Sequence, residues 1–118
     1  HILCLITTDE MNEYGVPDLL KEYKKAGLNV KHYPILDQRA PAKDEVKPVL
    51  DWIDKLLCDQ KNIMIHCLGG LGRSGMMGAA YLKSKLKINQ EEAVRTVRLA
   101  RSDRAIETQE QEKLIKEI

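Results

Sequence analysis

The sequence predicts an α/β fold with a central, mostly parallel sheet flanked by helices. Short apolar runs alternate along the chain with longer segments of helical periodicity, as in sheets that are covered on both faces. The chain has 118 residues, of which 43% are apolar and 31% are charged, and these are values of an ordinary globular domain. We therefore expect residues 1–118 to form one domain, whose core is aliphatic because the chain has no Phe.

The first half of the chain supplies two predicted strands and two predicted helices. Residues 2–6 form a continuous apolar run that predicts a buried strand, and polar residues end this run. Residues 30–35 are predicted as the next strand. A helix is predicted over residues 17–27, because proline favours a first turn and glycine favours a helix end. Residues 36–42 are a predicted loop, and the apolar positions that follow predict a helix that Pro48 either kinks or begins.

The second half adds one strand and three helices. Residues 63–65 form a third apolar run, which a glycine-rich stretch and a helical pattern follow directly. Two pairs of residues resemble capping boxes that open the last two helices, Asn89 with Glu92 and Thr108 with Gln111.

The most informative segment is His-Cys-Leu-Gly-Gly-Leu-Gly-Arg-Ser-Gly at residues 66–75. Its glycines let the backbone curl so that successive N–H groups point into one bowl, which suits a tetrahedral dianion, and the next helix adds its positive end. We call residues 67–72 the glycine-rich loop and expect the backbone of five residues to bind phosphate: Leu68, Gly69, Gly70, Leu71 and Gly72. A Cys67 thiol in this bowl is expected to be ionised at neutral pH, because amides and a guanidinium stabilise the thiolate.

Three neighbours of Cys67 are expected to assist it. The planar fork of Arg73 can hold two phosphate oxygens, and the hydroxyl of Ser74 can hydrogen-bond the sulfur. His66 is expected to orient the loop rather than act as a base, because an ionised thiol needs none. A nucleotide-binding loop is disfavoured because the Gly-Lys-Ser/Thr sequence is absent. The alternative to a reactive site is a structural glycine turn around a buried cysteine.

Cysteine, five residues, arginine and serine, after a strand that ends in histidine, form the signature of cysteine-dependent protein phosphatases. The chain resembles the small dual-specificity type of this family, and the kinase-associated phosphatases most, also at residues 16–20, 32–37 and 105–112. The resemblance implies hydrolysis of phosphotyrosine and phosphoserine or phosphothreonine in proteins, through a cysteinyl-phosphate, with no metal and no cofactor. It implies a phosphoprotein partner, with a protein kinase among the candidates. The N-terminal helix and strands of the family are expected to be missing.

The resemblance also implies a general acid on a loop before the cysteine, and Asp37 matches that position. Asp44 is the alternative, although an acid at the start of a helix also serves the helix dipole. Tyrosine-specific members carry an Ile-Gln-Thr loop whose glutamine positions water, whereas this chain has Ile-Glu-Thr at residues 106–108. Either Glu107 or Gln111 is therefore the candidate for that role, unless Thr108 and Gln111 only cap the last helix.

Other residues with reactive or charged side chains have weaker signals. Arg39 and Arg104 are candidates for contacts with substrate at the rim of the site, although the basic cluster of Arg95, Arg98, Arg101 and Arg104 has the spacing of a solvated face. Cys4 and Cys58 are expected to be buried thiols that act as small apolar side chains.

Charge and composition exclude several classes of partner. A net charge of +1 supplies no field for nucleic acid or an anionic membrane, and no apolar run is long enough to insert into a bilayer. Three cysteines without a disulfide pattern suit a reducing compartment, so we expect a monomer in the cytoplasm or nucleus. The remaining alternatives are a small-molecule or lipid phosphatase with the same mechanism, a catalytically impaired phosphate-binding module, and a sulfur-transfer or arsenate-reducing enzyme.

Overall fold

The computed structural model describes all 118 residues and confirms the predicted fold class, a parallel sheet flanked by helices. The three strands are β1 (Ile2–Cys4), β2 (Val30–His32) and β3 (Met64–His66). The six helices are α1 (Thr8–Glu13), α2 (Leu19–Lys25), α3 (Lys43–Cys58), α4 (Gly72–Leu86), α5 (Gln90–Ala100) and α6 (Gln109–Glu117). The strand order is β2-β1-β3, and Ile2 of the central strand lies opposite Val30 on one side and Met64 on the other.

The sequence predicts the three strands correctly but overestimates the length of the first two. Each strand has three residues, whereas the first two predicted strands have five and six. Leu5 and Ile6 remain buried beyond the end of β1, and Leu5 still donates to His66 O at 2.9 Å and accepts from Ile35 N at 2.9 Å. An apolar run therefore shows which residues are buried, and residues can stay buried after the regular hydrogen bonds between strands have ended.

Helix α1 is absent from the sequence prediction. Thr7 is its N-cap: Thr7 Oγ1 accepts from Glu10 N at 3.2 Å, and Glu10 Oε1 accepts from Thr7 N at 3.0 Å. This reciprocal pair is a capping box. The helix has six residues and one buried side chain, Met11, so it is too short to produce a visible apolar period.

Four predictions about helices need correction. Helix α2 is shorter than residues 17–27, although Gly27 does adopt the left-handed conformation after it, with φ of 81°. Pro48 does not begin α3, which starts at Lys43 and continues through the proline because Val46, Val49, Leu50 and Ile53 anchor its buried face. Cys58 ends that helix and is exposed rather than buried. Asn89 accepts from Glu92 N at 2.8 Å without a return bond, so only the pair of Thr108 and Gln111 forms a complete capping box.

The parallel topology decides where the functional side chains meet. All three strands point the same way, so the segments that follow them lie at one edge of the sheet, where α/β folds bind their ligands. These segments are α1 after β1, residues 33–42 after β2 and the glycine-rich loop after β3. Helix α4 packs against β3, α3, α5 and α6, and its buried methionines and alanines fill the core. No helix has the length and apolar character that crossing a membrane requires.

Candidate active site

The glycine-rich loop connects β3 to α4 and surrounds the sulfur of Cys67 with donors. The backbone N–H groups of Ser74, Gly70 and Leu71 hydrogen-bond the sulfur, and Ser74 Oγ lies 3.4 Å from it. Burial by itself raises the pKa of the Cys67 thiol, but these hydrogen bonds outweigh it and bring the pKa below its ordinary value. Within the loop only Gly70 adopts a positive φ, 71°, so the curl of the backbone depends on this glycine most directly.

Arg73 lies almost wholly inside the protein, with 1% of its side chain exposed. Its Nη1 donates to Glu10 Oε1 at 2.6 Å and to Ile35 O at 2.9 Å, and its Nη2 donates to Glu10 Oε2 at 2.8 Å. Arg73 Nε is buried and has no hydrogen-bond partner. The guanidinium therefore keeps one unused edge, Nε with the second hydrogen of Nη2, and this edge has the geometry to hold two oxygens of one anion.

Glu10 is a site residue that sequence reasoning missed. Its carboxylate binds Arg73 through both oxygens across 63 residues of sequence, and the hydrogen bond from Arg73 lowers the pKa of Glu10 to about 2. The capping-box pattern of Thr7 and Glu10 is a signal for α1. No local pattern reveals the contact with Arg73, which arises because β1 and β3 are neighbours in the sheet.

Asp37 lies on the loop of residues 36–42, which we call the acid loop, and its side chain is 61% exposed. Its Oδ1 is 3.5 Å from Arg73 Nη2, so it stands beside the unused edge of the guanidinium. The alternative, Asp44, lies in the first turn of α3, where its charge favours the helix dipole.

The acid loop is held by the start of α6. Thr108 Oγ1 donates to Gln38 O at 3.0 Å, and Gln111 Nε2 donates to Arg39 O at 3.4 Å. Glu110 Oε2 accepts from Ala40 N at 2.9 Å. These three contacts join the loop that carries Asp37 to the helix that follows Glu107.

Glu107 and Gln111 take different places beside the glycine-rich loop. A Cβ added to Gly72 would lie 2.2 Å from Glu107 Oε1, so this carboxylate lies directly against the Gly72 backbone. Gln111 is fully buried, and its Oε1 accepts from Glu107 N at 2.8 Å and from Thr108 N at 3.3 Å. The amide oxygen of Gln111 is thus committed to the backbone, and its Nε2 also lies beside the loop, 3.3 Å from where a Cβ on Gly72 would stand. Glu107 Oε1 is the nearer of the two groups to Gly72.

Comparison with known proteins agrees with this arrangement. Residues 2–87 match the family described as "Polymorphic toxin system, DSP-PTPase phosphatase". The chain belongs to the dual-specificity phosphatase family. Human cyclin-dependent kinase inhibitor 3 is 33% identical over 110 residues, which are 91% of this chain and 51% of that protein. The chain therefore spans about half the length of the curated relatives it matches.

Solved structures of similar proteins share the fold. The crystal structure of Tk-PTP in the active form has 38% identity and a TM-score of 0.86, and the match covers 98% of this chain and 75% of that one. Kinase associated phosphatase, crystallised with its catalytic site cysteine substituted by serine, has 31% identity and a TM-score of 0.91. That match covers 98% of this chain and 66% of that one.

The arginines with weaker sequence signals make different contacts, and the role of Arg39 and Arg104 at the rim stays a prediction. Arg101 lies on the glycine-rich loop, where its Nε donates to Gly70 O at 3.0 Å and its Nη2 to Gly69 O at 3.4 Å. Arg98 donates to Ala105 O at 2.9 Å and holds the loop before α6. The side chain of Arg104 forms no hydrogen bond or ion pair, and Arg39 pairs with Glu110 at 3.5 Å. The cluster is therefore only partly a solvated face, and Arg101 is its member nearest the loop.

The backbone before α6 is strained at one residue. Ile106 has φ of 63°, a conformation that β-branched residues rarely adopt. Ile106 N donates to Leu71 O at 3.0 Å, and Arg98 Nη2 donates to Ile106 O at 3.2 Å. These bonds hold the backbone in the orientation that directs Glu107 onto Gly72.

Proposed function

We propose that this chain is the catalytic part of a phosphatase that hydrolyses phosphotyrosine and phosphoserine or phosphothreonine in proteins through a cysteinyl-phosphate. One observation carries the proposal. The Cys67 sulfur lies among the N–H groups of the glycine-rich loop, and the positive charge of Arg73, whose Nε has no partner, acts on the same sulfur. In the structure of kinase associated phosphatase, the substituted cysteine is named as the catalytic one.

In the first step, the Cys67 thiolate attacks phosphorus in line with the ester oxygen. The S–P bond forms while the P–O ester bond breaks, and Asp37 gives its proton to the departing oxygen. The loop N–H groups and the Nε and Nη2 edge of Arg73 hold the equatorial oxygens, whose charge they stabilise in the transition state.

In the second step, the Asp37 carboxylate takes a proton from a water molecule that attacks the same phosphorus. The S–P bond breaks, inorganic phosphate forms, and the thiolate returns to the donors around it, including Ser74. Glu107 is assigned to hold this water, because its carboxylate is the side-chain group nearest Gly72 and can accept a hydrogen bond from water. Gln111 is not, because the backbone already occupies its amide oxygen.

A protein substrate fits the charge of the site better than a polyphosphorylated lipid. The residues between Cys67 and Arg73 carry no cation, and the Arg101 guanidinium already binds two loop carbonyls. Further phosphates on an inositol ring would be left without partners, which is costly. Leu36 and Leu68 expose apolar surface beside the site, 67% and 44% respectively, and such surface suits a peptide. Similarity to cyclin-dependent kinase inhibitor 3 suggests a protein kinase as the partner. An enzyme that depends on a thiolate suits the reducing cytoplasm or nucleus.

Hydrolysis of an aryl phosphate in the presence of EDTA tests the mechanism. Cys67→Ser should lose turnover and still bind phosphate, because the loop N–H groups and Arg73 remain. Cys58→Ser is the matched control, because this thiol is exposed at the end of α3, and it should keep full activity. Turnover that survives in Cys67→Ser contradicts the proposal, and a wild-type chain that binds phosphate without turnover is an impaired binding module.

A substrate panel tests the choice of a protein substrate. Phosphopeptides that carry phosphotyrosine or phosphothreonine are expected to have higher kcat/KM than soluble phosphoinositides. A phosphoinositide that exceeds every phosphopeptide by about tenfold in kcat/KM, which corresponds to about 1.4 kcal/mol of transition-state stabilisation, would reverse this assignment.

A further inference from the structure

A groove of about 310 Å³ lies where the acid loop meets the first turn of α3, and the proposed mechanism does not use it. Residues 33–36, residues 39–41 and Glu45 line this groove, which we call the acid-loop groove. Its volume is at the lower end of the range for ligand pockets, so it suits a short segment of a partner rather than a folded element.

The acid-loop groove shares a wall with the active site. Ile35 lines the groove, and its carbonyl oxygen accepts from Arg73 Nη1 at 2.9 Å. Asp37 follows two residues later, with its Oδ1 3.5 Å from Arg73 Nη2. The groove is therefore within reach of the residues that flank a phosphorylated side chain bound at Arg73.

The walls of the groove are mostly apolar. Leu36 is 67% exposed and Pro34 is exposed beside it, whereas Tyr33, Ala40 and Pro41 are half-buried. Burial raises the pKa of the Tyr33 hydroxyl, so this side chain is neutral. Covering such a surface with an aliphatic side chain removes apolar area from water, which favours binding.

Glu45 gives the groove a charge without a partner. Arg39 also lines the groove, but its guanidinium pairs with Glu110 at 3.5 Å. Glu45 is exposed and forms no ion pair. The neighbouring lysines of α3, Lys43 and Lys47, line a different surface. A cationic group is therefore the electrostatic complement of the groove.

We propose that the acid-loop groove is a substrate subsite that binds an aliphatic side chain and an adjacent lysine or arginine from the segment flanking the phosphorylated residue. The aliphatic side chain packs on Leu36, and the cation pairs with Glu45. Because this contact is made with the acid loop, part of its free energy holds Asp37 in position and raises kcat as well as lowering KM. The assignment deepens the proposed function, because it rests on a phosphopeptide as the substrate.

Pairs of phosphotyrosine peptides test the subsite. One peptide of each pair carries leucine and an adjacent lysine, and the other carries alanine and glutamate, at each position within about three residues of the phosphotyrosine in turn. At one of these positions the leucine–lysine peptide should have about tenfold higher kcat/KM, from covering part of an aliphatic side chain and adding one ion pair. Equal kcat/KM at every position would overturn the proposal.

Glu45→Lys tests the charge, with Asp59→Lys as the matched control. Both residues are exposed acids, one in the first turn of α3 and one at its C-cap. Glu45→Lys should reverse the preference, so that leucine–glutamate becomes better than leucine–lysine, and Asp59→Lys should keep the wild-type preference. An aryl phosphate has no flanking residues, so both variants should hydrolyse it as the wild type does. The same peptide preference in the two variants would contradict the proposal.

Leu36→Ala tests the apolar contact, with Leu86→Ala as the matched control. Leu86 is also exposed, 55%, and lies at the end of α4. Leu36→Ala should remove the advantage of leucine over alanine in the peptide, and Leu86→Ala should keep it. An advantage that persists in Leu36→Ala would place the aliphatic side chain outside the groove and overturn the proposal.

Binding to the Cys67→Ser protein separates the subsite from the phosphatase function. This variant should bind the leucine–lysine phosphopeptide about threefold more tightly than the alanine–glutamate one, because the rest of the effect on kcat/KM is in kcat. If the wild-type chain hydrolyses no phosphate ester but this difference in affinity is found, the subsite stands and the phosphatase function does not. Hydrolysis without any preference leaves the phosphatase function and removes the subsite. A wild-type dimer that Glu45→Lys dissociates, seen by sedimentation, would assign the groove to a second copy of the chain and also remove the subsite.

Discussion

Arg73 and Glu10 show how single residues prepare this site before any substrate binds. Burying a guanidinium costs free energy unless an oppositely charged group binds it, and the two oxygens of Glu10 bind one edge of the Arg73 guanidinium. Together with the bond to Ile35 O, this contact fixes the orientation of the guanidinium. In the proposed mechanism Glu10 acts on the reaction only through Arg73, so its removal should affect the rate more than the binding of an anion.

Glu10→Gln should lower kcat about tenfold without weakening the binding of phosphate. The variant keeps the shape of the side chain but loses one acceptor and the charge, so Arg73 is oriented less firmly in the transition state. The lost negative charge also leaves Arg73 more attractive to anions. Steady-state kinetics and phosphate inhibition measure the two effects, and Glu13→Gln, an exposed change on the same helix, is the control. An unchanged kcat would show that Arg73 needs no such partner.

Gly72→Ala should displace Glu107 from the glycine-rich loop. The new Cβ would lie 2.2 Å from Glu107 Oε1, and this flexible side chain must move away. If Glu107 holds the hydrolytic water, breakdown of the cysteinyl-phosphate slows about tenfold, and rapid-quench kinetics show a larger initial burst. The control is Gly78→Ala on the same helix, where the added Cβ meets nothing closer than 3.6 Å. Identical bursts in both variants would exclude Glu107 from this role.

At the scale of elements, the acid loop and the start of α6 behave as one unit. Thr108, Glu110 and Gln111 bind consecutive backbone groups of the acid loop, so the position of Asp37 depends on the capping box that begins α6. The same capping box directs Glu107 onto Gly72. The proposed acid of the first step and the proposed water-holding residue of the second step therefore share one support.

Asp37→Ala should slow the hydrolysis of alkyl and phenyl phosphates about 100-fold, the usual scale of general acid catalysis. Esters with very acidic leaving groups should be affected less, because their oxygens leave without a proton. The alkaline limb of the pH–rate profile should also flatten. Asp44→Ala is the comparison, and the assignment is wrong if that variant alone shows the pattern.

At the scale of the whole molecule, three parallel strands bring together residues that are distant in sequence. The ion pair of Glu10 and Arg73 joins the segments after β1 and β3, so it contributes to folding as well as to the site. The pKa of Glu10 falls from 4.5 to about 2 in the folded protein, chiefly through its hydrogen bond with Arg73. A carboxyl group whose pKa is depressed by folding stabilises the fold above its unfolded pKa and loses this effect as the pH falls toward the folded value.

The free energy of unfolding should therefore decrease between pH 4.5 and about 2, with a contribution from Glu10 on the order of 3 kcal/mol. Glu10→Gln should be less stable at neutral pH, because Arg73 is left buried without its partner, and should lose less stability on acidification. Urea unfolding at a series of pH values measures both curves, which should approach each other near pH 2. If the free energies of unfolding of the two proteins changed in parallel over this pH range, the ion pair of Glu10 and Arg73 would not be the cause of the acid destabilisation.

The fold class and the glycine-rich loop were predictable because their signals are local. Short strand-like segments separated by helical patterns indicate a parallel sheet. Residues 66–74 place the thiol, the loop N–H groups, the guanidinium and the hydroxyl within one short segment. Asp37 was reached only through resemblance to a family, since an aspartate in a polar loop has no distinctive pattern. The predicted strand ends and the predicted burial of Cys58 were wrong. Apolar character does not show where the hydrogen bonds of a sheet end, nor which side of a helix end other elements cover.

By itself, the sequence determined the chemistry of the loop, since contacts between near neighbours depend on residue order. Only the tertiary structure decided which groups hold that loop in place. Glu10 lies 63 residues from Arg73, Tyr23 lies 43 residues from His66, and Arg101 lies 31 residues from Gly70. These pairs form because the strand order β2-β1-β3 and the packing of α2 and α5 bring separate segments to one edge of the sheet. Composition and periodicity cannot predict such pairs, because they describe each segment of the chain separately and contain no information about which segments become neighbours in space.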